Sequence, residues 1–404
     1  MSQQEKKLLF LNALLYGFVT IFSYAYVDLN LTISQNKIFL SFTDIMQKLG
    51  YYYRPQATFI YVMLLFVVFG FFIYNLYLAS KDRVSVKYIM TSAVVNVLIL
   101  IFAYPFLSSD LFNYMFDAKI ITHYHLSPYT HRPLDFPQDD WIRFMRWVHR
   151  YSPYGPLWLG VSIIPSFLGF GKFVLSFFTF KITIAVFHLI NTYLIFKTLT
   201  YLKSKQTLLG TAFYALNPLF LTEGVANAHN DVVFATFLLA TIYFWTVSKK
   251  GFSYLSLMLG ALIKYISILN LPSLLIANFF KEKCSFPRLV TLNLITMAVF
   301  TYIFSSFRIN VPFVSSGSTQ VQFQPWYLFW TLPFISLIPA TGLIIVAIVL
   351  SVGASFRYLP FLYYGDWFQP GTIEFMRLIT VLPMLFAVVI IFLKNGSQKF
   401  RKRN

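Results

Sequence analysis

With 58% hydrophobic and only 11% charged side chains among 404 residues, the chain is excluded from the ordinary soluble domains, in which about a quarter of residues are charged. The formal net charge of +18 falls in short clusters between apolar runs, not in a basic stripe, so it marks membrane orientation and no nucleic-acid partner is implied. A single cysteine, Cys284, excludes an intrachain disulfide.

Long uncharged runs recur at 8–27, 57–80, 88–107, 173–196, 208–222, 232–247, 252–280 (broken by Lys264), 289–307, 326–338, 341–356 and 373–393. Most reach or approach the roughly 20 residues that a helix needs to cross a bilayer core. Lipid offers backbone groups no partners, so spanning segments are helices, and the absence of polar/apolar alternation argues against a barrel. The first run is long enough to be kept as a span and has no small-residue cleavage site.

Basic clusters separate the runs: Lys6 and Lys7; Lys81, Arg83 and Lys87; Lys197, Lys203 and Lys205; Lys249 and Lys250; Lys281, Lys283 and Arg288; and the tail from Lys394 to Arg403. Placing every cluster in the cytoplasm gives one consistent topology with both termini inside a plasma membrane. The segment 155–170 is short and carries Pro156 and Pro165, so it reads as a juxtamembrane or re-entrant piece. The run 252–280 is too long for one crossing and begins and ends beside basic clusters, so it reads as a hairpin of two short helices turning near Lys264. The expected fold is all-α: a single polytopic membrane domain of about a dozen spanning helices, with juxtamembrane helices outside.

All the sizeable polar segments then lie outside, and 108–154 concentrates the unusual residues. Asp110 and Asp117, seven apart with Tyr114 between them, fall near one face of a helix. Ser109-Asp110 also suits a helix cap, and one residue can serve both purposes. A second acidic group, Glu223, His229, Asn230 and Asp231, stands at another outer boundary, where Asn230 or Asp231 equally suits a cap. Neither group has the ligand spacing of a metal site, although the chemistry admits a divalent cation. Lys264 interrupts LGALIKYISILNLP; an intramembrane lysine is costly and points to function unless it snorkels at a helix end. Lys181 and Arg377 are further intramembrane cations. Gln324-Pro325-Trp326-Tyr327 suits interfacial anchoring or, alternatively, sugar stacking.

Taken together, these motifs resemble the polyprenol-phosphate-sugar glycosyltransferases of the GT-C superfamily, and most closely the bacterial α-mannosyltransferases that use polyprenol-phosphate-mannose in envelope glycan synthesis. Ser109-Asp110-Leu111-Phe112-Asn113-Tyr114, followed by Leu126-Ser127-Pro128-Tyr129, is similar to that group's first-loop signature. Ser152-Pro153-Tyr154-Gly155-Pro156-Leu157 is similar to its next element, and Asn217-Pro218 with His229-Asn230-Asp231 to a third. Ser127 departs from the usual Asn or Asp, and Ser109 from a common Arg.

The resemblance implies a GT-C-like bundle, a polyprenyl-phosphate sugar donor and a glycan, glycolipid or protein acceptor, with the site on the external face. It implies that Asp110 acts as base in one inverting displacement, and that Asp231 and His229 assist it or position the acceptor. Lys264 and Arg308 would hold the phosphate, while Asp117, Tyr114, Tyr129, Tyr154, Asn230, Trp326 and Tyr327 would contact substrate. A transporter or lipid-linked-sugar flippase is the rival class; it would show internal repeats and broken helices, and no repeat is visible.

Overall fold

The structure, a computed structural model, describes residues 1–29, 31, 33–280, 284–306, 323–367 and 369–401. Among them every regular element is helical. Helix α1 (Gln3–Ser23) opens on a capping box in which Ser2 and Glu5 exchange side-chain and backbone bonds. The other carboxylate oxygen of Glu5 accepts from Ser85 N at 2.7 Å, just before α4. After α2 (Lys37–Gln47), the long α3 (Arg54–Ser80) leads to α4 (Val86–Leu100), which packs on α1 with Asn12 and Asn96 bonded between them. Next come α5 (Asp110–Thr122), α6 (Pro156–Leu168), α7 (Phe173–Tyr201), α8 (Thr207–Ala215), α9 (Asp231–Thr246), α10 (Lys250–Ala261), α11 (Leu271–Phe279) and α12 (Phe286–Ser306). Helices α13 (Leu332–Leu337), α14 (Thr341–Phe356), α15 (Leu359–Tyr364) and α16 (Thr372–Arg401) complete the chain.

Among the described residues, five helical stretches are long and apolar enough to cross a membrane, and a sixth qualifies if the bent pair Phe220–Ala226 and Asp231–Thr246 counts as one span. The protein is an all-α polytopic membrane protein. In α3 only 33% of the most apolar window is buried, and Phe59, Phe66, Val67 and Ile73 face outward. This is the pattern of a helix whose free surface meets lipid.

The remaining apolar runs are shorter helices or are broken. The run 208–222 stops as a helix at Ala215, and 326–338 starts as a 3₁₀ turn, Pro325–Trp330, before α13. The run 252–280 turns where the sequence places its hairpin: α10 ends at Ala261, Lys264 is extended (φ −141°, ψ 118°), and a 3₁₀ stretch Tyr265–Asn270 leads into α11. The segment 155–170 forms α6, which packs on α5 and α7.

The break ahead of α9 carries part of the site, and two polar contacts inside the bundle hold it. Lys181 of α7 is fully buried and donates to Ala103 O and, at 2.7 Å, to Ala226 O. It thereby joins the stretch ahead of α5 to the stretch ahead of α9. Asn227 makes the second join: its Oδ1 accepts from Leu107 N at 3.2 Å.

Candidate active site

The acids enter on helix starts. Helix α5 begins at Asp110, and Ser109, in the cap position, makes no side-chain capping bond. Asp231 begins α9, with Asn230 in the cap position and again no capping bond. The start of α5 is met instead from one residue earlier, where Ser108 Oγ accepts from Asp110 N at 3.2 Å.

What places the second group is a break. Pro218 cannot donate a backbone bond, and Asn217 Oδ1 accepts from Leu219 N at 3.0 Å. The chain then winds through a wide π turn, Phe220–Ala226, and bends by 117° before α9. Ala228 is held at φ 57°, a conformation uncommon without glycine. The strained turn points His229 back at the π turn, and the two are closed by His229 N donating to Glu223 O at 3.2 Å. Glu223, Asn227, His229, Asn230 and Asp231 are all buried.

Side chains from four places then converge. Asp231 Oδ1 meets Lys264 Nζ at 2.6 Å and accepts from Trp330 Nε1 at 2.7 Å. His229 lies between two carboxylates, Nδ1 at 3.6 Å from Asp110 Oδ2 and Nε2 at 3.3 Å from Glu223 Oε2. Its ring stacks on Trp326 at 4.0 Å between centroids. Tyr114 OH accepts from Asn230 N at 3.5 Å, and its ring meets those of Tyr154 and Trp158 edge-on, each at 5.0 Å. Tyr327 stacks on Trp330 at 4.2 Å.

Exposure separates the two acids: the Asp110 side chain is 18% accessible and that of Asp231 1%. Burial raises the Asp110 carboxyl above its ordinary value, opposed by His229 and then Lys264, reinforced by Asp231 and opposed again by Arg150. Asp231 Oδ2 and both amide atoms of the Asn230 side chain are buried without a hydrogen-bond partner. Such atoms are costly unless something else meets them, and here they border a carboxylate still open to solvent.

The structure thus brings together Asp110, Tyr114, Tyr154, His229, Asn230, Asp231, Lys264, Trp326 and Tyr327. Asp117 is buried further along α5, within electrostatic reach of Tyr129 and of Tyr154, a member of this group, and burial pushes its carboxyl up to about 7. Tyr129 is more exposed, and its hydroxyl donates to Tyr154 O at 2.8 Å. Arg308 lies outside the described residues. Sequence reasoning gave no role to Trp330, Trp158 or Arg150, and did not foresee Glu223 as a partner of His229. Trp330 had a signal, since it sits four residues after Trp326, one helical turn on. Arg150, stacked on Trp147 at 4.3 Å, had none beyond its loop.

The loop element 152–157 is docked on the Lys264 turn. Gly155 N donates to Ile263 O at 3.1 Å and Leu157 N to Leu262 O at 2.9 Å. A Cβ on Gly155 would stand 2.2 Å from Leu262 O and 2.9 Å from Ile263 O, both backbone atoms that cannot swing aside. Among the described residues, no group of three or more His, Cys, Asp or Glu side chains is placed to hold a metal ion.

Residues 16–279 match the family profile described as Alpha-(1->6)-mannopyranosyltransferase, N-terminal domain, of the MptA_B family. The chain belongs to this family. The match takes in Asp110, the Glu223–Asp231 break and Lys264, and membership makes the protein a glycosyltransferase of the mannosyl-transferring kind. Comparison with curated proteins and with solved structures returned no match. The bent span would also suit a transporter, and it is the family that separates the two classes.

The Gly155 contact yields a prediction. Gly155→Ala should push the Lys264 turn away from its place and lower kcat/KM by about 10- to 100-fold, the cost of ångström-scale misplacement in a site. Gly160→Ala, in the same helix and with nothing within 4 Å of its Cβ position, should leave transfer near the wild-type level. Equal activity of the two variants in detergent-purified form would remove the docked turn from the site.

Proposed function

We propose that the protein transfers mannose from a polyprenyl-phosphate carrier to an envelope glycan, lipid or protein acceptor, by a single inverting displacement on the external face of the plasma membrane. The observation that carries this reading is the gathering, around one partly open carboxylate, Asp110, of a buried imidazole beside it, a lysine paired with Asp231 and polar atoms lacking partners. Such a donor brings its own leaving group, so the protein must remove a proton and stabilise a departing phosphate.

Asp110 takes the proton of an acceptor hydroxyl. The acceptor oxygen bonds to the anomeric carbon, the bond from that carbon to the phosphate oxygen breaks, and its electron pair leaves with the polyprenyl phosphate. Lys264, 18% accessible, spends one donor on Asp231 and keeps others for the phosphate. Arg150, whose charge reaches Asp110, is the second cation on that side. Asn230 and the wall of Trp326, Tyr327 and Trp330 offer the sugar hydrogen bonds and stacking faces. The positive clusters support the external placement.

Asp110→Asn should keep expression and donor binding and lower transfer by about 10²- to 10⁴-fold, as loss of a general base does. The assay uses purified protein with a panel of polyprenyl-phosphate sugars, and a loss of only a few-fold would take the base role away from Asp110.

Lys264→Met keeps the stem and deletes the charge. It should weaken donor binding by about 1.5–3 kcal/mol, the range for hydrogen bonds to charged groups. An unchanged affinity in a titration with polyprenyl-phosphate mannose would leave Lys264 as the counter-ion of Asp231 alone.

Orientation is tested with Cys284 replaced and single cysteines placed at the exposed positions Gln138 and Lys249. An impermeant maleimide should label the first in intact cells and spare the second. The opposite pattern would put the site on the inner face.

A further inference from the structure

We propose that Glu223 is a positioning residue for the transfer reaction, fixing His229 as an imidazolium between two carboxylates with Asp110 as the outer one. This rests on Asp110 being the base. Geometry carries it. The ring nitrogens of His229 lie 3.6 Å from Asp110 Oδ2 and 3.3 Å from Glu223 Oε2 in a fully buried ring, close charge contacts in which neither nitrogen completes a hydrogen bond. One ring face lies on Trp326, which fixes the plane of the imidazole.

The Glu223 carboxylate is itself aimed. Asn227 Nδ2 donates to Glu223 Oε2 at 3.1 Å, while Asn227 Oδ1 is fixed by Leu107 N, three residues before Asp110. The backbone that presents Glu223 is a π turn, and the one that presents His229 passes through the left-handed Ala228. Both features are unfavourable in isolation and recur at functional sites. A histidine that merely filled space would need neither the bent span nor a buried acid behind it.

The chemical consequence concerns which group holds the proton. Asp110 must be ionised when the acceptor arrives, yet it is partly buried and near Asp231. A cation at 3.6 Å favours the ionised form, and an imidazole keeps its charge in a buried place only with an anion beside it. Glu223 is that anion.

The groups facing Glu223 are Tyr61 from α3 and Tyr358 ahead of α15, with Lys181 bonded to Ala226 O of the same turn. Those facing Asp110 besides His229 are Lys264, Asp231, Arg150, Tyr114 and Tyr154. Removing the Glu223 charge has two opposed effects on Asp110. Loss of a distant anion lowers its pKa, and loss of the adjacent imidazolium raises it. The imidazole is nearer and Glu223 lies beyond it, so the second effect prevails.

The experiment is the pH dependence of kcat/KM with polyprenyl-phosphate mannose for wild type, Glu223→Gln, Glu223→Asp and Asp110→Asn. Glu223→Gln should keep donor affinity and move the acidic limb up by roughly one pH unit, so that about tenfold lower activity on the acidic side is recovered as pH rises. Glu223→Asp, which keeps the charge, should fall between. An unmoved limb, or a loss equal at every pH, overturns the role of Glu223 while an inactive Asp110→Asn leaves the base reading intact. An active Asp110→Asn overturns the base reading itself. If Glu223→Gln does not fold, Asn227→Ala releases the same carboxylate without deleting it. A smaller upward shift supports the proposal, and no shift overturns it.

Discussion

A carboxylate removed from water at a membrane boundary has to be given a cation, and the cation has to be brought to it by backbone that still satisfies its own hydrogen bonds. Asp231, with 1% of its side chain accessible, meets Lys264 at 2.6 Å. Bringing Lys264 there means stopping α10 at Ala261, which strands carbonyls that lipid cannot satisfy. Two of them, on Leu262 and Ile263, accept from Leu157 and Gly155 at the start of α6. The C-terminal end of one helix thus meets the N-terminal end of another, an arrangement both helix dipoles favour. The ion pair, the interrupted helix and the loop segment that docks on it stand or fall together, and Gly155 is the residue whose missing side chain makes the approach feasible.

The second interruption obeys the same rule with different parts. Between α8 and α9 the chain leaves regular helix for a π turn and a sharp bend. The freed carbonyl of Ala226 is taken by Lys181, which holds Ala103 as well, and Asn227 reaches Leu107 N. Irregular backbone is tolerated at membrane depth only where protein covers it, and here the covering contacts also set the spacing between the two acidic helix starts. Lys181 stood out in the sequence as an intramembrane cation, and its use is structural: it fixes the backbone on which Asp110 and His229 are carried.

Much of this was legible in the residues. The long runs became full-length helices where their apolar character was unbroken, as in α3 and α7, and a lysine within an overlong run was enough to place the hairpin of 252–280. The motifs at Asp110 and His229-Asn230-Asp231, far apart in sequence, lie side by side in the structure. Less legible was the inner course of runs such as 208–222, because periodicity alone does not distinguish a buried straight helix from one that stops at Leu216 and re-forms after a bend. Asp117 read as a solvated face residue or a substrate contact, and burial removes the first of these readings. The partnership of Glu223 with His229 needed the π turn, which has no sequence signature of its own.

The two central aspartates show why chemical type and motif position do not suffice to assign roles. Both open helices, both lie in matched motifs, and both are acids of the same intrinsic strength. Asp231 holds an ammonium and an indole N–H on one oxygen, so that oxygen is already occupied. Asp110 has the imidazole of His229 at 3.6 Å, no ammonium or guanidinium contact among the described residues and the more accessible side chain, which leaves it able to meet a hydroxyl entering the site. Different surroundings let two like groups take different parts in one site. In the proposed reaction, Asp231 organises the cation that receives the phosphate and Asp110 receives the proton, so the two ends of the displaced bond are served by acids that differ only in what surrounds them.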